Sequence, residues 1–310
     1  MKITVRALVL VVGLFCVLPS KANSADIEWL GILSGFGGAE RETILKQGPL
    51  FPVGVAPCFV AVCGLPGNKG VGQAGGRGSA QALGVIPVWG PVGVQASFNY
   101  TGGAGSRFAT TFGPIYDFTA GKVGLFGSYQ HRTQNGDNFW WVEPALDLYL
   151  NQLNISLRYL QPVSSVQNST TAVVGDGNDI LQRNMAINRA QATASYFPPD
   201  FLSLGKDNLE ITGGVQVNSF AGPHVGATGV GPVFGLSLMP AQNVELTLIR
   251  GTVDNRSRYE VQTGLRIYFG KSLPSTSPAT SPSLKELRRK YMEASPYPVS
   301  GHSAYRRGRS

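Results

Sequence analysis

Beyond its first twenty residues, the 310-residue chain has no run of the ~18 apolar residues a helix needs to cross a bilayer. A helical membrane bundle is therefore excluded. Charge is scarce as well: 14 % of residues are charged, against about a quarter in ordinary soluble domains. With 43 % apolar residues, this is not the composition of a disordered chain, which combines high charge with few apolar groups. Histidine occurs three times, as His131, His224 and His302, and cysteine three times. No His or Cys pair shows a metal-ligand spacing with another ligand residue, so neither a metal nor any other cofactor is expected. Glycine is abundant, at 40 residues, nearly double the usual ~7 %. The glycines keep no strict triplet, which excludes collagen. A chain rich in glycine and aromatics, poor in charge and without long apolar runs points to many strands.

The ends differ from the middle. Residues 1–25 read as an export signal: Lys2 and Arg6 form a basic start, Ala7 to Leu18 an apolar stretch too short to span, and Ala22, Ser24 and Ala25 offer small-residue cleavage positions. Cys16 falls in that discarded segment. The formal charge of +8 is concentrated at the ends. The leader carries three bases. Residues 271–310 carry eight bases against Glu286 and Glu293, which leaves residues 26–270 at a net −1. Basicity confined to the ends of an exported chain argues against nucleic acid as a partner. Cys58 and Cys63 are expected to form a small loop disulfide in an oxidising compartment.

From about residue 79 the chain breaks into segments of 9–14 residues with period-two alternation, each ending in turn residues. In 92–101, Val92, Val94, Ala96, Phe98 and Tyr100 oppose Gly93, Gln95, Ser97, Asn99 and Thr101. Strands are expected at 27–36, 79–89, 92–101, 107–118, 122–132, 139–150, 153–163, 183–196, 208–218, 226–239, 244–251 and 258–269. That makes twelve, with a strand inside 50–62 as a replacement or supplement for the first. These lengths match a membrane strand, which needs ~9–11 residues at a tilt. Six segments carry more than one charge, and in five of them the charges share one parity and hence one face: Arg107 with Asp117, Lys122 with Arg132, Glu143 with Asp147, Arg183 with Arg189, and Arg258 with Glu260 and Arg266. Glu245 and Arg250 disagree, which predicts Arg250 at a strand end reaching for headgroups. A wall wet on one face explains the sorting. A soluble exported β-sandwich with a polar outer face would too. Aromatics decide for the wall, because Trp89, Tyr100, Phe108, Phe118, Trp140, Tyr149, Tyr159, Tyr196, Tyr259 and Phe269 mark segment ends, as interfacial girdles do.

The expected fold is thus all-β: a closed antiparallel transmembrane barrel of about twelve strands over 26–270. Short turns would face the periplasm and longer loops the exterior, with both termini periplasmic and a long Gly-rich loop at 37–78. Lumen-facing charges are expected at Arg107, Asp117, Lys122, Glu143, Asp147, Arg158, Arg189, Glu210, Glu260 and Arg266. They would line a channel or tie a plug. Leu273 to Ser283 reads as a Pro/Ser/Thr linker. Ser283 to Ala294 reads as a short helix with Ser283 as N-cap and Glu286 in the capping-box position, and a basic tail follows. Such a tail in the periplasm could meet peptidoglycan. The other expected partners are outer-membrane lipid, lipopolysaccharide and the barrel-assembly machinery.

Residues 76–103 (GRGSAQALGVIPVWGPVGVQASFNYTGG) and 112–163 resemble the β-domain of inverse autotransporters, the intimin and invasin class. Gly76-Arg77, Tyr129 with Arg132, Phe139-Trp140-Trp141, and Arg158-Tyr159 with Pro162 occupy that family's motif positions. The resemblance implies a twelve-stranded translocator barrel. Only residues 271–310 follow the barrel here, so it implies the wall without the family's large passenger, and a tail long enough to thread the lumen. A second, looser likeness lies in His131-Arg-Thr133-Gln-Asn135-Gly136, which is similar to the His-x-Ser-Asn-Gly motif of outer-membrane phospholipase A. That implies an outer-leaflet lipid hydrolase with His131 as base. Thr133 stands in the serine position and the asparagine comes one residue late, so no enzyme is expected. Glu143 and Asp147, ~13 Å apart along one strand, stand too far apart for joint acid–base work.

Overall fold

The computed structural model describes residues 29–41, 44–46, 74–102, 106–133, 137–163, 166–172, 179–199, 205–220, 228–253, 259–270, 282–293 and 300–307. The leader and both Cys58 and Cys63 lie outside these residues, as does the strand considered within 50–62. In chain order the elements are β1 (Leu30–Arg41), β2 (Ile44–Lys46), β3 (Ala74–Trp89), β4 (Val92–Gly102), β5 (Arg107–Phe118), β6 (Gly121–Arg132), β7 (Asp137–Leu150), β8 (Leu153–Pro162), β9 (Val166–Ala172), β10 (Asp179–Tyr196), β11 (Leu209–Phe220), β12 (Thr228–Ala241), β13 (Val244–Val253), β14 (Tyr259–Gly270), α1 (Leu284–Arg288) and β15 (Ser300–Arg307). All but β2, β9 and β15 among the strands join one antiparallel barrel of twelve, in which neighbours follow chain order. The ring is sealed where β1 meets β14, from Leu30 opposite Gly270 to Arg41 opposite Tyr259.

Closure leaves no strand edge of the ring unpaired, which is what a wall facing hydrocarbon requires. The side-chain sorting is inverted relative to a soluble protein. On β4, Gln95, Ser97, Asn99 and Thr101 are buried, while Phe98 and Tyr100 are nearly half exposed. Ser128, Gln130, Gln216 and Asn218 are likewise buried, and Ile86, Phe112, Val123, Leu157, Ile211 and Ile267 face out. A sandwich would hide the second group and bare the first, so the soluble β-sandwich reading fails. Exposed aromatics form two belts. Trp29, Trp89, Tyr116, Phe118 and Tyr196 lie toward the short-turn end, and Tyr100, Trp140 and Tyr159 toward the other. Along β5, Phe108 and Tyr116 lie eight residues apart, ~27 Å of strand, which at barrel tilt covers most of a ~25 Å apolar band.

The turns at one end are tight. Gly90, Asn151 and Asn243 take the left-handed backbone conformation there (φ +49°, +38° and +62°), which closes two-residue hairpins with the twist of the strands. Two expectations on the Gly-rich segment need correction. β1 runs on to Arg41 and β3 begins at Ala74, so residues expected in the loop at 37–78 are strand at both of its ends. The glycines misled because Gly37, Gly38, Gly76 and Gly78 are paired strand residues here, and Gly38 marks a close approach rather than a loop. A Cβ on Gly38 would overlap the Val261 carbonyl oxygen across the seam.

Beyond the ring, β10 extends past its barrel neighbours. Residues 189–196 pair with β8, whereas 179–185 pair with β9 on one side and 179–186 with β15 on the other. β2 adds to β15 in parallel. The C-terminal strand is thus attached at the long-loop end of the barrel. The helix α1 sits at the opposite end, where the Leu284 amide donates to the Asn208 side-chain oxygen and the Lys285 amide to the Asp207 carbonyl. Its capping box forms as the sequence indicates: the Ser283 hydroxyl accepts from the Glu286 amide at 3.3 Å, and Glu286 returns by accepting from the Ser283 amide at 2.9 Å. The helix stops at Arg288 rather than continuing to Ala294. The Met292 backbone bonds Gln95 of the wall instead of its own helix, which ends the coil.

Candidate functional site: the occupied lumen

Residues 282–293 fill the short-turn half of the lumen, and the two faces of this plug meet different walls. Leu284, Leu287, Tyr291 and Met292 are buried against Leu30, Ile32, Leu83, Val85, Ile115, Phe126 and Ala145. Fully burying such a side chain contributes ~1.5–3 kcal/mol each. Gly124 belongs to this contact, because a Cβ there would meet the Met292 sulfur at 2.8 Å. Gln95 clamps the backbone, donating to the Met292 carbonyl at 2.6 Å and accepting from its amide at 2.9 Å.

The other face of the plug is ionic. Arg288 bridges two carboxylates from different strands, Nε to Glu210 and Nη2 to Glu245, both at 2.7 Å. Tyr268 donates to Glu245, and Arg288 also reaches the Tyr291 hydroxyl. Glu293 accepts from Arg266 and, at 3.2 Å, from Arg250. Its backbone carbonyl takes the Arg158 Nε–H at 3.1 Å. Lys285 pairs with Asp207 and donates to Gln152 at 2.9 Å, and Arg289 holds Asn154 and the Asn151 carbonyl at 3.1 and 2.7 Å. Burial pushes the Glu293 carboxyl up, but Arg266, Arg288 and Arg250 outweigh it and hold the group well below the ordinary carboxylate range.

Of the sequence-derived luminal charges, Arg107, Lys122, Glu143, Asp147, Arg158, Arg189, Glu210 and Arg266 are buried inside the ring. Arg158 pairs with Asp147 at 2.7 Å, and Arg189 Nε donates to Asn218 at 2.9 Å. Glu260 accepts from Gln262 at 2.8 Å. Asp117 sits at the short-turn end, its side chain 52 % exposed, and meets Lys122 at 2.5 Å. The structure gathers Arg158, Glu210 and Arg266 around the plug and leaves Arg107 and Lys122 elsewhere on the wall.

Arg250 corrects the sequence reading. Between β13 and β14, Thr247 opposes Gly264 and Arg250 opposes Gln262, so Leu248 and Ile249 together face Thr263 alone. This bulge turns both Leu248 and Ile249 outward, where each is at least 40 % exposed. Parity resets after it, and Arg250 points inward instead of to the headgroups, over the Phe36 ring at 3.8 Å. Sequence reasoning also missed Gln95, Glu245, Tyr268, Arg288, Tyr291 and Glu293 as partners. The one signal available was the capped basic helix itself. A second departure is the apolar patch of Phe139, Trp141 and Leu160, fully buried on the inner face of β7 and β8, where a wet lining was expected.

His131 lies toward the long-loop end. Its Nδ1 contacts the Asn138 side-chain oxygen at 2.8 Å, beside the Tyr129 hydroxyl that donates to the same oxygen at 2.6 Å, and its ring lies on Phe108. The Thr133 hydroxyl, in the serine position of the lipase-like motif, donates to the Ser106 carbonyl at 2.8 Å. The hydroxyl that would have to act as nucleophile is therefore engaged with the backbone.

No protein-family model matches this sequence, and no curated protein matches it. Solved structures do. A membrane protein from work on the mechanism of in-meso crystallization aligns over 89 % of this chain and 99 % of its own, with a TM-score of 0.53 at 7 % identity. The KdgM porin aligns over 76 % of this chain and 99 % of its own, TM-score 0.41, 10 % identity. The translocator domain of the autotransporter NalP from Neisseria meningitidis aligns over 86 % and 97 %, TM-score 0.40, 10 % identity. At such identities the likeness is one of fold, and the fold is a closed twelve-stranded antiparallel β-barrel.

Proposed function

We propose that this chain is an outer-membrane β-barrel that carries its own C-terminal segment through the lumen, from the periplasmic mouth to the exterior. One observation supports this above others: the segment is held at both mouths. Residues 282–293 bind the short-turn end, and β15 pairs with the part of β10 that extends beyond the long-loop end. Short turns face the periplasm in barrels of this type. The six residues between the two anchors reach ~20 Å when extended. The resemblance to inverse-autotransporter β-domains fits the same reading, with the barrel as translocator wall and the tail as what it holds. On this reading the basic C-terminus lies outside, and its anionic partner is the phosphate-bearing lipopolysaccharide surface rather than peptidoglycan. The test is Ser310→Cys in a Cys58→Ser, Cys63→Ser background, treated on intact cells with a membrane-impermeant maleimide. Labelling without permeabilisation is expected. Labelling only after the outer membrane is opened would overturn the proposal.

A further inference from the structure

The plug does not seal the lumen evenly. Its apolar face packs against the β1, β3, β5 and β6 side, where Leu284, Leu287 and Met292 are fully buried. Its ionic face spans the remaining space on long arginine and glutamate side chains. Beside that face runs a cavity of about 200 Å³. At the short-turn end it is lined by Tyr149 and Asn154, which flank the Asn151–Gln152 turn. At the long-loop end it is lined by Thr252 and Glu260, a cross-strand pair one residue in from the ends of β13 and β14. It therefore runs nearly the full height of the wall. At ~10–15 Å³ of such space per water it holds roughly fifteen waters. Over ~20 Å, the length from Arg189 to Ser195 along β10, that is about two abreast.

From this geometry we infer that the plugged barrel retains a lateral polar slit that passes water and small inorganic ions while the tail stays seated. The lining carries four arginines and four carboxylates, among them Arg189 and Glu260, which belong to neither plug anchor. Equal numbers of both signs leave the slit without a dominant field, so cations and anions pass alike. Hydroxyls of Ser156, Thr193 and Thr252 complete a wet surface on the wall side. Its width excludes sugars.

The inference rests on the tail occupying the lumen, and the two fail separately. Full chain is reconstituted in planar bilayers in KCl, alongside a 271–310 deletion and Ser156→Cys and Thr252→Cys variants in the Cys58→Ser, Cys63→Ser background. Heat-modifiable gel mobility confirms that each is folded. Full chain should give conductance steps several-fold smaller than the deletion, with a reversal potential near zero in a KCl gradient. A cationic methanethiosulfonate should cut the steps of either cysteine variant several-fold and leave the cysteine-free parent unchanged. Proteoliposomes of full chain should not swell in glucose. A silent full chain beside a conducting deletion would sink the slit alone. So would conductance indifferent to modification at both cysteines, or swelling in glucose. Equal conductance of full chain and deletion would sink the seated tail.

Discussion

Arg288 is the residue on which seating of the plug turns. Its guanidinium joins Glu210 and Glu245, two carboxylates buried in the wall and separated by two hairpins in sequence. Removing one partner of a buried ionic group leaves the others uncompensated, a loss of ~3–5 kcal/mol. Arg288→Ala should therefore raise the conductance of full chain toward that of the tail deletion. Arg288→Lys should rescue little, because a point ammonium cannot bridge two carboxylates as a planar fork does. On the apolar face, Leu287→Ala should weaken seating by ~2–5 kcal/mol while the barrel keeps its heat-modifiable mobility, since Leu287 belongs to the plug and not the ring. Acid acts through Glu293. Its folded-state pKa is depressed, so its contribution to seating is complete above the ordinary carboxylate range and is lost only as pH falls through the depressed value. Conductance of full chain should stay flat from neutral pH down to about 5 and rise only in strong acid, well below the usual carboxylate pKa of ~4.3. A rise already near pH 6 would point to another group.

At the scale of elements, alternation in the sequence carried far. It placed twelve ring strands within a few residues of their observed ends, because a wall with oil on one side and water on the other tolerates few exceptions to period two. Where parity failed, a bulge explains it. Glu245 and Arg250 sit at unlike parity in the sequence and on the same inner face in the fold, since Leu248 and Ile249 share one cross-strand neighbour. Nothing local in Leu-Thr-Leu-Ile-Arg announces an extra residue, as any of these fits a straight strand. Deleting Leu248 should restore strict alternation and leave Arg250 on the inner face, because Glu245 and Arg250 then stand at like parity. Without the bulge and with every residue kept, Arg250 would face lipid, at a cost of up to ~2–4 kcal/mol at mid-depth and less near an interface. Outer membranes bearing the deletion should keep the heat-modifiable fraction of the parent, and a marked loss would count against the bulge. The glycines of 37–78 misled for the opposite reason: glycine usually punctuates strands, but Gly37, Gly38, Gly76 and Gly78 pair within β1 and β3, and Gly38 lets the Val261 carbonyl approach at the seam.

For the whole molecule, the fold was legible and the filled lumen only half so. A ring of twelve strands follows from spacing and aromatic belts, which are periodic and local. The plug depends on contacts such as Gln95 with Met292, 197 residues apart, which leave no trace in any window of sequence. The capped helix and its basic residues were visible; that Arg288 and Glu293 would complete the charge balance of the wall was not. Most of the luminal lining is polar, yet the patch around Phe126 and Leu83 is apolar because the tail supplies its cover. The central claim is that the C-terminal segment resides inside a closed membrane wall. A cross-link between Gln95→Cys and Met292→Cys, made without Cys58 and Cys63 by a short reducible bis-methanethiosulfonate in isolated outer membranes, tests it most directly. Near-complete cross-linking, with gel mobility that shifts on reduction, is the expected result. A chain that stays uncrosslinked by the reagent, or that is absent from the outer-membrane fraction, would contradict it.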